Sequence, residues 1–325
     1  MNRFTVLGGG AWGTALGLTM LRAGHSVRLW ARDADMVAAI ANGENPHYLP
    51  GIKLDTGMQP TTDLKAALSD AQCVLVVTPA QSLRDVLCKM RGHLAKDIPL
   101  VLCAKGIDRE TGTLPSEIAA ELLPSNPVAS LSGPSFAADV AKGLPTAVVV
   151  AASEEGRAAE LAASFSSASF RCYSTDDLVG VEIGGALKNV FAIAAGAVTG
   201  AGLGASAQAA MVTRGFVELR RIGAAFGAQP ETLMGLSGLG DLLLTCASPQ
   251  SRNFAYGLAV GRGENLDGRP LAEGVATSAI AARIVKERAI EAPIIEAVAA
   301  ILQGRLSIND AVSNLMSRPL RHEAE

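Results

Sequence analysis

Three glycines near the start of the chain, Gly8-x-Gly10-x-x-Gly13, follow a short β-rich run at residues 5–7 and open a helical stretch at residues 14–22. This spacing suits a dinucleotide. Gly8 permits a tight turn, Gly10 lets a pyrophosphate approach the backbone, and Gly13 lets helix pack closely on strand. The free N–H groups at the helix start are ready partners for phosphate oxygens. Gly9 is a further glycine to which the motif assigns no role. The end of the second strand, residues 27–30, would meet the ribose. An acidic residue there holds a 2′-hydroxyl, and an arginine accommodates a 2′-phosphate. Arg32 stands at that place and Asp33 comes one residue later. The arginine favours NADP. NAD stays open, as does a solvated Arg32–Asp33 pair in which Asp33 starts the next helix.

Lys188 lies in an otherwise apolar run, residues 184–196. Burial lowers a lysine pKa from about 10.4 toward neutrality, as a group that gives and takes protons requires. The competing reading is a lysine paired with a buried carboxylate or snorkelling to the surface. Asp241, in Gly238-Leu239-Gly240-Asp241, either holds that ammonium or a substrate hydroxyl, or caps the next helix. Ser251-Arg252-Asn253 opens a helix after Pro249. A forked guanidinium and free N–H groups there suit a phosphate dianion, and a simple helix cap is the alternative. Lys105 and Gly133-Pro134-Ser135 each follow a strand, where ligands bind in open α/β sheets. Lys105 is otherwise an exposed loop lysine. Trp12 and Tyr48 pack on a cofactor or in the core.

These residues must be held by two kinds of architecture. Apolar runs at residues 74–77, 100–103 and 147–150 read as strands buried on both faces, with helices at 81–90 and 116–122 between them. The rhythm predicts a Rossmann-like, doubly wound parallel sheet. After residue 176 only helices are expected, at 178–200, 206–226, 252–260, 277–288, 294–303 and 308–316. The chain is therefore divided into an α/β cofactor domain, residues 1–177, and an all-α substrate domain, residues 178–325. Residues 189–213 carry no charge and are long enough to span a bilayer, but glycines at 200, 202 and 204 interrupt them. They are read as two antiparallel helices buried in a core, with no membrane span. The net charge of −3 argues against a nucleic-acid binder working by bulk charge. Five scattered cysteines, no C-x-x-C pair and four histidines argue against a zinc site. Unpaired thiols and the lack of a secretory signal point to the cytoplasm.

The chain also contains, in order, GGGAWGTALG at 8–17, NPHYLPG at 45–51, AKGI at 104–107 and LSGPSFAADVA at 131–141. GALKNVFAIAAG follows at 185–196, GLGDLLLTC at 238–246, SRNFAYG at 251–257 and AEGVAT at 272–277. By these segments it resembles the bacterial-type NAD(P)-dependent glycerol-3-phosphate dehydrogenases over nearly its whole length. The resemblance implies interconversion of sn-glycerol 3-phosphate and dihydroxyacetone phosphate between a Rossmann and a helical domain. It implies a run toward glycerol 3-phosphate for phospholipid synthesis. It makes Lys188 the catalytic acid/base, in contact with substrate. Lys105, Gly133, Ser135, Asp241, Ser251, Arg252 and Asn253 become further substrate contacts. The cofactor would be lined by Gly8, Gly10, Ala11, Trp12, Gly13, Arg32, Tyr48, Lys105, Ala137, Arg252, Leu271 and Glu273. Ala11 stands where the family often has Ser, which removes one side-chain contact to pyrophosphate. His47 and Asp139 also depart from the usual pattern. Two rivals remain at this point, a hydroxyacid or phosphogluconate-type dehydrogenase and a non-catalytic nucleotide sensor. A homodimer is expected from the apolar helical half.

Overall fold

The structure, a computed structural model, describes residues 2–154, 156–320 and 322. The first half alternates strand and helix. Its strands are β1 (Arg3–Leu7), β2 (Ser26–Trp30), β3 (Met58–Thr61), β4 (Cys73–Val76), β5 (Leu100–Leu102), β6 (Val128–Ser132), β7 (Thr146–Ala152) and β8 (Phe170–Thr175). Between them lie α1 (Ala11–Arg22), α2 (Ala34–Ala41), α3 (Leu64–Leu68), α4 (Leu83–Met90), α5 (Pro115–Leu122), α6 (Ala137–Ala141) and α7 (Arg157–Phe165). One sheet results, in the order β3-β2-β1-β4-β5-β6-β7-β8. Val74, Leu75, Val76, Leu100, Val101 and Leu102 are fully buried, because helices cover both faces.

The sheet departs from the all-parallel expectation at one pair. β7 runs antiparallel to β6, while β8 is again parallel to β7. The helix in the β6–β7 connection explains the reversal. At five residues it spans about 7.5 Å, against roughly 16 Å for the strand it would have to run back along. The chain therefore re-enters the sheet from the end at which it left. The two edge strands carry no clear alternation. β3 holds Pro60, which only an edge tolerates, and β8 exposes Arg171, Tyr173 and Ser174.

The second half is helical: α8 (Leu178–Gly200), α9 (Ala205–Ala225), α10 (Pro230–Met234), a π-helical turn (Leu236–Gly240), α11 (Asp241–Cys246), α12 (Arg252–Gly261), α13 (Glu273–Glu287), α14 (Pro293–Leu302) and α15 (Ile308–Met316). Asp177 starts α8 by accepting the Gly180 N–H at 2.8 Å. α8 is long and apolar enough to cross a membrane, but 94% of its most apolar window is buried in the fold. Its faces are covered by α9, α11, α12 and α13. α9 is less enclosed than expected. Ser206, Ala209, Ala210, Thr213 and Arg214 are exposed, and its buried residues begin at Gly215. Met211 and Val212 pack half-buried against the core, and the fully buried residues of α9 all lie in its second half.

Glycine sets how closely these helices meet. A Cβ added at Gly257 of α12 would lie 2.0 Å from the Ile193 carbonyl oxygen of α8. One added at Gly196 of α8 would lie 2.1 Å from the Phe254 oxygen of α12. Backbone thus meets backbone, and neither side can move without shifting a helix. Gly257→Val is expected to lower the unfolding free energy by about 1–3 kcal/mol, the usual cost of overpacking. An unchanged urea midpoint would contradict this packing.

Candidate active site

The glycine turn lies where the sheet order reverses. β1 pairs with β2 on one side and β4 on the other, and ligands of such sheets bind outside the strand carboxyl ends at this point. Gly8 has φ +132° and donates its N–H to the Trp30 oxygen at 2.9 Å. A Cβ on it would stand 2.5 Å from the Val77 oxygen, just beyond β4. A Cβ on Gly13 would strike the Gly8 oxygen at 1.9 Å. Over Gly10 there is open space, with nothing within 4 Å of an added Cβ. No side chain caps α1, so its first N–H groups are left to a ligand. Gly9 acquires a role that the motif did not give it. Its missing side chain admits Met36 and Ala31, which would lie 2.6 and 2.8 Å from a Cβ.

Asn45, which sequence reasoning passed over, ties the segment carrying Tyr48 to this turn. Its Nδ2 donates to the Gly9 oxygen (3.0 Å) and to Thr14 Oγ1 (2.9 Å), and its Oδ1 accepts the Tyr48 N–H at 3.3 Å. Tyr48 is 40% exposed, so it is not a core residue. Trp12 has a buried Nε1 with no partner among the described residues. Ala11 and Ala137 are the half-buried first residues of α1 and α6. Arg32 is exposed, and Oδ1 of Asp33 caps α2 by accepting from Asp35 N (2.9 Å) and Met36 N (3.2 Å). Leu271 is exposed. Glu273 opens α13, earlier than expected from the sequence. Burial raises the Glu273 carboxyl, against the opposing effects of Arg252 and the Ala80 N–H. An open helix end, glycines that keep the turn low and an orphaned indole N–H all fit a bound dinucleotide.

The two domains meet around one carboxylate. Asp241, 1% exposed, accepts Lys188 Nζ at 2.6 Å through Oδ1 and Lys105 Nζ at 2.7 Å through Oδ2. Lys188 also reaches Thr245 Oγ1 at 2.9 Å, and Lys105 reaches the Gly133 oxygen at 3.0 Å. Lys188 comes from α8, Lys105 from the end of β5, and Gly133 from the end of β6. Glycines again allow the approach. A Cβ on Gly184 would lie 2.8 Å from the Ser237 oxygen, and one on Gly185 would lie 3.0 Å from Ser132 Oγ and 3.5 Å from Lys105 Cγ. Asp241 makes no helix-capping bond with its side chain. Burial pushes its carboxyl up, but Lys105 and Lys188 outweigh this and hold it below its usual range. Burial pulls Lys188 down to about 8, with Lys105 assisting and Asp241 opposing. Lys188 is thus paired with a buried carboxylate, and the same site lowers its pKa. Thr245 was missed, although it lies four residues after Asp241 and so on the same helix face.

The third segment closes the site. Ser251 caps α12 by accepting the Phe254 N–H at 3.3 Å, so its cap role is realised. Asn253 donates to Asn189 Oδ1 at 2.9 Å and accepts the Gly274 N–H at 2.9 Å. Asn189 in turn donates to the Lys105 oxygen at 3.0 Å. One amide chain thus links α13, α12, α8 and the loop after β5, and much of Asn253 is committed to it. Arg252 is left exposed beside it. Ser135 Oγ donates to the Gly133 oxygen at 3.0 Å, and Gly133, at φ +138°, has no room for a Cβ against Val148.

Residues 3–158 match the N-terminal region of the NAD-dependent glycerol-3-phosphate dehydrogenases, and residues 177–313 match their C-terminal region. The chain belongs to this family. The glycerol-3-phosphate dehydrogenase (NAD(P)+) of Mesorhizobium japonicum is 72% identical over 99% of this chain and 94% of its own length. That of Chelativorans sp. is 65% identical over 98% of each. The solved glycerol-3-phosphate dehydrogenase from Coxiella burnetii superposes with a TM-score of 0.93 at 37% identity, over 98% of this chain and 99% of that one. As a glycerol-3-phosphate dehydrogenase, the protein interconverts sn-glycerol 3-phosphate and dihydroxyacetone phosphate with NAD(P). That sets aside the hydroxyacid and sensor alternatives.

The lowered lysine predicts a pH dependence with opposite signs in the two directions. A proton donor in ketone reduction must be an ammonium, so with Lys188 in that role kcat/KM would be flat below about 8 and fall above it. A proton acceptor in alcohol oxidation must be the free amine, so in that direction kcat/KM would rise toward about 8 and then level off. Log kcat/KM plotted against pH in both directions checks this. A reduction rate undiminished far above that value would contradict it.

Proposed function

We propose that Lys188 is the proton donor and acceptor of this dehydrogenase. The observation that carries the reading is its ammonium, 8% exposed, held by Asp241 and Thr245 where the two domains meet. The bound reduced nicotinamide supplies the hydride. As negative charge develops on the ketone oxygen, Lys188 gives up its proton there. Asp241 is not left unpaired when this happens, because Lys105 still neutralises it. The second lysine also keeps a positive charge beside the developing alkoxide, where buried charge acts most strongly. In alcohol oxidation the neutral amine takes the proton back.

Arg252, with Ser251 and the start of α12, grips the phosphate of the substrate, and Asn253 and Asn189 hold that helix against Lys105. Gly133 and Ser135 line the same side. Gly8, Gly10, Ala11, Trp12 and Gly13 hold the pyrophosphate end of the cofactor. Tyr48, Lys105, Ala137, Arg252, Leu271 and Glu273 line the rest. NADP is the favoured cofactor, because Arg32 is exposed while Asp33 is engaged in capping α2. The dehydrogenase works in the cytoplasm as a homodimer and takes a small-molecule substrate, not a nucleic acid. It supplies glycerol 3-phosphate for phospholipid synthesis. Its cofactor and substrate domains divide at residues 177 and 178, where Asp177 caps α8.

Lys188→Ala is expected to lower the kcat of dihydroxyacetone phosphate reduction by about 10²–10⁴-fold, the scale of a lost general acid. Turnover near that of the unaltered protein would remove Lys188 from the proton path. Arg32→Ala should raise the KM for NADPH more than that for NADH, as measured by initial rates with each cofactor. Equal effects would leave Arg32 a surface charge.

A further inference from the structure

Glu182 is a buried acid that the chemistry above does not use. It is 3% exposed and lies on α8, seven residues before Asn189 and so on nearly the same helix face, about 10.5 Å away along the axis. Both side chains reach the segment that joins β5 to α5. Asn189 holds its start by donating to the Lys105 oxygen at 3.0 Å. Glu182 holds its end. Oε1 accepts the Ser116 N–H at 2.9 Å, and Oε2 accepts the Ser116 hydroxyl at 2.5 Å. Ser116 follows Pro115 in the first turn of α5, so the carboxylate also meets the positive end of a helix.

Between these two anchors the segment enters the core of the helical domain. Ile107 and Leu114 pack in one cluster with Ile183, Ala186, Leu187 and Val190 of α8. Apolar contacts of that kind tolerate sliding, whereas two directional bonds to a single carboxylate do not. A slip of one residue along α8 is about 1.5 Å. It would break the Glu182 and Asn189 bonds together and carry Lys188 away from its place beside Lys105. No cation pairs with Glu182 through a hydrogen bond or ion pair among the described residues. Burial raises its carboxyl to about 7, the Ser116 bonds oppose this, and Glu117 on α5 adds to it. A buried acid without a cation costs stability compared with an apolar side chain of the same size, so its bonds to Ser116 are its evident contribution.

We propose that Glu182 is a positioning residue: by gripping the first turn of α5 it sets the register of α8 against residues 105–116. It thereby sets the placement of Lys188 relative to Lys105 and Asp241. The inference rests on the reading of Lys188 as proton donor.

The test compares Glu182→Met, Glu182→Gln, Ser116→Ala and Lys188→Ala in dihydroxyacetone phosphate reduction. For each, kcat, KM, the kcat–pH profile, NADPH affinity and the thermal midpoint are measured. Glu182→Met keeps the volume and removes both bonds. It is expected to lower kcat by about 10–10²-fold, the scale of a small misplacement, and to move the basic limb of the pH profile. NADPH affinity should be unchanged. Glu182→Gln can accept from the Ser116 N–H and donate to its hydroxyl, so it should restore most of kcat and the original profile. A folded Glu182→Met protein with unaltered kcat and profile overturns the proposal, whatever its thermal midpoint. So does a glutamine variant as slow as the methionine one. If Glu182→Met does not fold, Ser116→Ala, which removes only one bond, decides. It should give a smaller fall in kcat with the same shift in profile, and a folded variant with neither overturns the proposal. Lys188→Ala separates the two readings. If it keeps its turnover, the proton-donor reading falls and the positioning inference falls with it. If it loses turnover while Glu182→Met behaves as the unaltered protein, the positioning inference alone falls.

Discussion

Asp241 receives one lysine from each domain, at 2.6 and 2.7 Å, in a site nearly closed to water. Much of the architecture serves to bring those three groups together without leaving a charge unmatched. A buried carboxylate stripped of its partners, or a buried ammonium stripped of its carboxylate, costs about 3–5 kcal/mol. The arrangement avoids that penalty by sharing. One negative charge meets two positive ones, so either lysine can become neutral while Asp241 stays paired. Burial, assisted by the charge of Lys105, brings Lys188 down to about 8 rather than the value of a free lysine.

Geometry of this kind requires backbones to come closer than side chains normally allow. Gly184 and Gly185 let the Asp241 turn and the ends of β5 and β6 approach α8 just before Lys188. Gly196 and Gly257 let α8 and α12 touch, which places Arg252 and Asn253 near the same point. Gly8 and Gly13 do the corresponding work at the N-terminal glycine turn. The high glycine content and scarcity of aromatic residues are thus the compositional trace of a site assembled from closely apposed main chains. The amide chain from Gly274 through Asn253 and Asn189 to Lys105 then fixes the assembly against slippage.

What could be read from the sequence followed from how local each signal was. The glycine turn, the buried strands β4 and β5, and the α8 boundaries were legible because contiguous residues encode them. Lys188, Lys105, Asp241 and Arg252 were named, but the sharing of Asp241 by two lysines was not, since it joins positions 105, 188 and 241. The same holds for Asn45, Asn189 and Thr245, whose partners lie far away in sequence or one helical turn on. β3 and β8 escaped because edge strands lack the alternation that burial on a face imposes. The reversal at β7 was hidden because it depends on the length of α6, not on the composition of β7. Which early residues of α9 stay exposed depends on which of its faces distant helices cover, and no single segment records it.

The claim on which the account turns is electrostatic and can be observed directly. Lysine side chains labelled at the ε position can be followed by NMR as pH is raised, in the unaltered protein and in Asp241→Asn. Lys188 should titrate near 8 in the former. It should titrate lower in the latter, where the charge that favours its ammonium is gone and Lys105 still opposes it. A titration at the ordinary lysine value of about 10.4, unmoved by Asp241→Asn, would contradict the account.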